Sequence, residues 1–172
     1  MRRKWKGVAA VVAAVGLSGA MLVSLLAPAS SARAPRNPGD SQISVFDVEG
    51  PFERDVDLGD PGFGPGDLVF EIQPLIDPVD ESPVGQVYTR LQVMRVLKTG
   101  DFVFVIDCQV KLSAGTILFN GTGKFSGFSS GAVFPVTGGT GSYELARGTV
   151  TGTAGSVGGK DGATLTFDLT TT

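Results

Sequence analysis

The stretch Phe134-Pro-Val-Thr-Gly-Gly-Thr-Gly-Ser-Tyr-Glu-Leu-Ala-Arg-Gly148 carries the first decision about the fold. Gly138, Gly139 and Gly141 stand between two β-like runs. Glycine reaches positive φ without steric cost, so such a cluster makes a sharp, close-packed turn in a β protein. Gly139-Thr-Gly141 also begins like a dinucleotide fingerprint, but Glu144 stands where the third glycine is needed. No Lys-Ser/Thr follows to complete a phosphate loop. The cluster is read as a structural turn.

Outward from that turn, short β-like runs alternate with turn signals. Ile43–Val48 alternates, and Asp57–Gly66 is a loop rich in Gly and Pro. Asp67–Ile76 reads as a strand interrupted by Pro74, which places it at an edge or a bulge. Gln86–Leu97 and Phe102–Leu112 are long strands joined through Lys98-Thr-Gly-Asp101 as a hairpin. Thr116–Gly121, Gly131–Thr137, Gly148–Gly155 and Ala163–Thr170 complete about eight strands, with Ser156–Gly162 as a turn and no convincing long helix. Evenly spaced short strands suggest a sandwich or a barrel. In the long hairpin both faces of both strands hold apolar residues. That fits a barrel whose lumen is lined by side chains and whose outer surface also packs, against a second subunit in a homo-oligomer.

The N-terminus is a separate element. Arg2, Arg3, Lys4 and Lys6 precede an uncharged apolar run from Gly7 to Ala27, with small-residue cleavage patterns near Ala27–Ala32. Residues 1–34 read as a secretory signal peptide; the rival is an uncleaved anchor, since the run approaches the about 20 residues that a membrane span needs. Either exports the domain, so any membrane contact is expected only through this segment. Residues 35–42 read as a Pro/Asn/Gly-rich linker and 43–172 as one domain with one core.

From Arg33 onward the chain holds 17 Asp/Glu against 10 Lys/Arg, a net charge of −7. Nucleic acid is therefore not an expected partner, because phosphate binding needs the opposite sign. The chain has no His, which excludes a Ser-His-Asp or Cys-His mechanism and any histidine metal site; no metal and no cofactor are expected. One Cys permits no internal disulfide, so the core must hold the domain.

Several segments carry a resemblance. Gly66-Asp-Leu-Val-Phe70, Gln73-Pro-Leu75, Pro83-Val-Gly85, Leu112-Ser-Ala-Gly-Thr-Ile117 and above all Pro135-Val-Thr-Gly-Gly-Thr-Gly-Ser-Tyr143 with Ala146-Arg-Gly148 resemble the allene oxide cyclase and dirigent family over residues 43–172. The resemblance implies an all-β, eight-stranded antiparallel β-barrel that holds one small apolar molecule. In plant cyclases a Glu and an Asn near the first strand and an Asn in the second serve the reaction. Here Asp47 and Glu49 take the first two places and Gln73 lies near the third, departures that argue against jasmonate-type cyclisation. Similar barrels in actinobacterial secondary metabolism fold polyketide chains into rings. Many bacterial relatives pair two cysteines on adjacent strands; Cys108 matches one, and Gln92 stands near the other.

Without His, proton transfer falls to carboxylates, Tyr or Lys, which makes Asp47, Glu49 and Glu71 candidate acids or bases, unless they are plain surface acids. Tyr88 and Arg90 are candidates for polarising a carbonyl if their face of the strand lines the lumen; the alternative is a solvated face. Gln73, Gln92, Met94, Phe104, Ile106, Phe119 and Phe134 are candidate substrate contacts, with core filling as the alternative for the apolar ones. Asp107 reads as a paired structural carboxylate, Arg147 as an anchor for the glycine turn, and Cys108 as a small buried hydrophobe rather than a nucleophile. The expected function is a cofactor-free cyclase or isomerase acting on a small hydrophobic, polyketide- or polyene-like substrate. The alternative is a non-enzymatic dirigent-like or carrier protein outside the cytoplasm.

Overall fold

A computed structural model of the chain describes residues 40–50, 52–59 and 62–170. The basic and apolar leader and most of the linker lie outside the described residues. Nine strands follow one another: β1 (Asp40–Val48), β2 (Phe52–Val56), β3 (Leu68–Ile76), β4 (Pro83–Val96), β5 (Phe102–Leu112), β6 (Gly115–Lys124), β7 (Ala132–Gly139), β8 (Arg147–Val157) and β9 (Lys160–Thr170). A 3-10 helix, Phe125–Ser130, links β6 to β7.

All pairings are antiparallel, in the order β1-β9-β8-β7-β6-β5-β4-β3-β2, and a further β1–β3 pairing closes the sheet on itself. Eight strands therefore make a closed antiparallel barrel. β2 does not add a ninth stave. β1 pairs with the end of β3 through Phe46↔Ile76 and Asp47↔Leu75, and β2 takes over the same edge from Phe52↔Ile72 to Val56↔Leu68. The break between them falls opposite Gln73 and Pro74. Proline donates no ladder hydrogen bond, so it is tolerated at such an interruption.

Three boundaries differ from the sequence reading. β2 went unread because Phe52-Glu-Arg-Asp-Val56 is short and its alternation is charged. β1 starts at Asp40, inside the stretch read as a linker, because Asp40–Gln42 pair with Asp168–Thr170 of β9. The Ser156–Gly162 turn shrinks to Gly158-Gly159, at φ 56° and 76°, between strands that run to Val157 and resume at Lys160. Two successive positive φ values give a two-residue hairpin whose twist matches its strands.

The long hairpin turns as expected. Leu97 N–H donates to Asp101 O at 2.7 Å, Gly100 N–H to Leu97 O at 2.9 Å, and β4 pairs with β5 from Gly85↔Leu112 to Val96↔Phe102. The glycine turn packs against the β5–β6 connection. A Cβ on Gly139 would stand 2.2 Å from Thr116 O, and Gly141, at φ 60°, lies against Ala114 O. Asp67, of the Gly-Asp-Leu segment, is buried and organises the preceding loop: its carboxylate accepts from Leu58 N–H and Gly64 N–H, both at 2.8 Å.

Inward residues make one core that runs around the barrel. Leu75, Val87, Val93, Phe104, Val110, Ile117, Val150 and Phe167 are fully or almost fully buried in it. This apolar filling, with no disulfide, is what holds the domain: burying one large apolar side chain contributes about 1.5–3 kcal/mol.

Candidate functional site

The barrel is only partly filled. A cavity of about 480 Å³ remains at its centre, within the usual range for a small-molecule site. Small inward residues leave it open. On β8, Gly152, Ala154 and Ser156 face it, and on β9 Ala163 does so. On β6 the inward Gly121 and Gly123 lie under the rings of Phe134 and Phe104, where a Cβ would come within 2.7 and 3.0 Å of ring carbons. Those rings can therefore lie flat against the wall.

The ring order divides the lining into two arcs. β9, β1 and β3 are neighbours on one side, β5, β6 and β7 on the other, with β4 and β8 between them. The second arc is apolar: Ile106 from β5, Phe119 from β6 and Phe134 from β7. The 3-10 helix adds Phe125 and Phe128. These rings touch one another and rings behind them. Phe104 stacks on Phe128 with centroids 5.6 Å apart, Phe119 on Phe134 at 6.1 Å, and Phe102 on Phe125 at 4.8 Å.

The first arc carries the acids. Asp47 and Glu49 come from β1 and the residue after it, Glu71 from β3 and Asp161 from β9. Asp47 sits at the β1–β3 seam beside Gln73, whose amide, turned with its nitrogen toward Asp47, donates to both carboxylate oxygens at 2.9 Å. The surface that Asp47 retains opens into the cavity, so water solvates it poorly. Burial pushes its pKa well above the ordinary 3.8, and the nearby Glu71 charge pushes the same way. Glu71 lies opposite Glu53 across the β2–β3 ladder. Burial, then repulsion from Glu53, Asp55 and Glu49, raises its pKa to about 7. Between these arcs Thr89 of β4 reaches the lumen, 3.5 Å from Cys108 Sγ. Burial drives the Cys108 thiol far up, so it is no thiolate nucleophile.

Seven of the candidates read from the sequence gather around or directly behind this cavity: Asp47, Glu49, Glu71, Gln73, Ile106, Phe119 and Phe134 line it. Phe104 is buried behind Phe128 and Phe134 as core rather than lining. The stripe Tyr88, Arg90, Gln92 and Met94 lies on the outer surface, a correction to its lumenal placement. Val87, Leu91 and Val93, on the other face of β4, are the more apolar set and take the core side. Arg90 instead pairs outside with Asp107, its Nε donating to Oδ2 at 3.1 Å. Asp107 is thus the paired carboxylate expected of it. Arg147 donates to Ala146 O at 2.7 Å, beside Gly138, as an anchor of the glycine turn.

Sequence reading passed over Thr89, Phe125, Phe128, Ser129 and Asp161, all of which line the cavity. Phe125 and Phe128 had a usable signal, two aromatic residues three apart in a Gly/Ser-rich connection. Asp161 had none, since it lay in a segment read as a turn.

No protein-family model matches the sequence, and no curated protein matches it. Solved structures do match. One described as a pyocyanin demethylase superposes with a TM-score of 0.62 at 22% identity, over 76% of this chain and 100% of that one. A second, described as an exo-specific intermolecular Diels-Alderase, gives 0.57 at 13% identity, over 76% and 99%. A third, a pterocarpan synthase dirigent protein, gives 0.55 at 17% identity, over 78% and 86%. At these identities the likeness is one of architecture. With its closed ring of eight antiparallel strands, its 3-10 connection and its central cavity, the chain has the allene oxide cyclase/dirigent type of barrel fold.

Proposed function

We propose that the barrel binds one small hydrophobic molecule in its cavity and directs its cyclisation or isomerisation without a cofactor. The observation that carries this reading is the apolar barrel cavity whose wall is interrupted by two carboxyl groups of raised pKa, Asp47 and Glu71. A carboxylic acid kept neutral by burial can donate a hydrogen bond or a proton at neutral pH. Asp47, braced by Gln73, takes that part; Glu71, with a pKa of about 7, is matched to accept or return a proton at working pH. The aromatic arc supplies shape: it confines a flexible chain near the reactive geometry and keeps water away. Polarisation of a carbonyl falls to protonated Asp47, since Arg90 is outside. The substrate class is polyketide- or polyene-like, the setting is secondary metabolism, and the leader directs export. A Diels-Alderase and a demethylase built on the same fold support the enzymatic form.

The second reading, a dirigent-like or carrier protein, is favoured by the leader, because most tailoring reactions occur where their substrate is made. A homo-oligomer through the outer face is compatible with both.

The test is retention. The full chain, incubated with apolar extracts, repurified and examined by mass spectrometry, is expected to carry a discrete small molecule. Gly152 has room at its Cβ, 3.5 Å from Leu165 and Phe128, so Gly152→Phe would occupy the cavity and abolish retention. Retention of nothing from several extracts, or retention unchanged by that substitution, would overturn the reading. Release of the molecule chemically unaltered would favour the carrier.

A further inference from the structure

The cavity lining has a charge composition that shape alone does not require. Asp47 and Glu71 line it together with the solvent-exposed Glu49 and Asp161, and among the described residues no Lys or Arg does. The chain is not short of cations nearby. Arg90 is on the strand adjacent to Glu71, but its side chain is spent on Asp107 outside. Lys160 adjoins Asp161 in sequence, yet donates to Glu81 at 2.6 Å on the far side of the β8–β9 turn. Among the described residues no cation lines the cavity beside Asp47 and Glu71, and an ionised carboxylate without a counter-charge in an apolar site is costly. Across the cavity stand the faces and edges of Phe119, Phe125, Phe128 and Phe134, and aromatic faces attract positive charge. Among the described residues, no three His, Cys, Asp or Glu side chains are grouped to hold a metal ion. The acids are spread along one arc, which suits a diffuse organic charge rather than a point charge.

We propose that the natural ligand is an apolar organic cation, an ammonium or a nitrogen heteroaromatic cation on a ring-bearing body, seated with its charge toward the Asp47–Glu71 arc and its rings against the phenylalanines. The proposal rests on the cavity being a binding site. It adds the sign of the ligand's charge: the polyketide- or polyene-like body of the proposed substrate would carry a cationic nitrogen. Glu49, Glu53, Asp55 and Asp47 lie around Glu71, from β1, the residue after it and β2, and Thr89 and Cys108 face it from β4 and β5. All the charged members of that set are acidic. A bound cation would therefore displace protons from the arc, and cation affinity would rise with pH through about 7.

Three probes on one anthracene ring system differ in charge: anthracen-9-ylmethanol, (anthracen-9-ylmethyl)trimethylammonium and anthracene-9-carboxylate, titrated by fluorescence against the full chain at pH 8, with Glu71→Gln separating the effect of charge from that of size. The ammonium is expected to bind roughly tenfold tighter than the alcohol, and the carboxylate to bind more weakly than both. In Glu71→Gln, confirmed as folded by its thermal midpoint, the ratio of ammonium to alcohol affinity should fall several-fold. Equal binding of ammonium and alcohol, a preference for the carboxylate, or an unchanged ratio in Glu71→Gln would overturn the charge proposal while leaving the cavity as a site. Binding of none of the three would overturn both.

Discussion

The two arcs of the lumen are built on opposite terms. On the aromatic arc every lining ring meets another ring, and glycines at 121 and 123 are placed so that Phe134 and Phe104 can lie flat. Aromatic pairs of this kind contribute about 0.5–1.5 kcal/mol beyond the area they bury. On the carboxyl arc, burial and then repulsion from neighbouring carboxylates hold Asp47 and Glu71 above their ordinary pKa values, which lowers stability once they ionise. The barrel is thus stabilised mainly from one side, and its reactive groups are gathered on the other. Binding and acidic sites commonly trade stability for function in this way.

The largest break in this comparison comes from the aromatic side. Phe104 is fully buried and packs on Phe102, Phe128 and Phe134. Phe104→Ala should lower stability by about 3–5 kcal/mol, measured by denaturant unfolding. A loss below about 1 kcal/mol would mean that the arc is not the stabilising half.

Glu71→Gln should act the other way. In the folded chain Glu71 keeps its proton up to about pH 7, whereas the unfolded chain loses it near the ordinary 4.5. Its contribution to stability must therefore fall as pH rises from about 4.5 to about 7 and level off above. The substitution should remove that slope and stabilise the domain at pH 8 by up to about 3 kcal/mol. Thermal midpoints at pH 4.5 and 8 check it; a variant less stable than the parent at pH 8 would refute the account.

Gln73→Ala removes the amide that donates to Asp47. It should cost about 1–3 kcal/mol, more at high pH than at low, since the ionised carboxylate depends most on the donor. Urea unfolding at two pH values reads the difference. The smallest effect belongs outside the barrel. The Arg90–Asp107 pair is solvent-exposed, so Arg90→Ala should change stability by less than about 1 kcal/mol and leave ligand retention unaltered. Loss of retention would return Arg90 to the site.

Much of the barrel was readable along the chain. The Gly138–Gly141 cluster announced a turn that needs positive φ, and Lys98-Thr-Gly-Asp101 announced a hairpin. Those are local effects, encoded within a few residues. The candidate site was readable in part. Asp47, Glu49, Glu71 and Gln73 were named from residue type and resemblance, and they do meet at the cavity. Tyr88, Arg90, Gln92 and Met94 were named by the same reasoning and lie outside. A strand with apolar residues on both faces does not declare which face turns inward, because a one-residue rotation exchanges them.

From composition and spacing alone came the β architecture, the reliance on an apolar core rather than disulfides, and the restriction of proton chemistry to carboxyl groups, Tyr or Lys. Closure came from elsewhere: the pairing of β1 with β3 joins residues about 30 positions apart. That seam puts Gln73 on Asp47, and the curvature of the whole sheet brings Glu71 and Asp161 across from Phe119 and Phe134. Burial, and with it the upward shift of the Asp47 and Glu71 pKa values, is a property of the closed barrel. No window of neighbouring residues contains it.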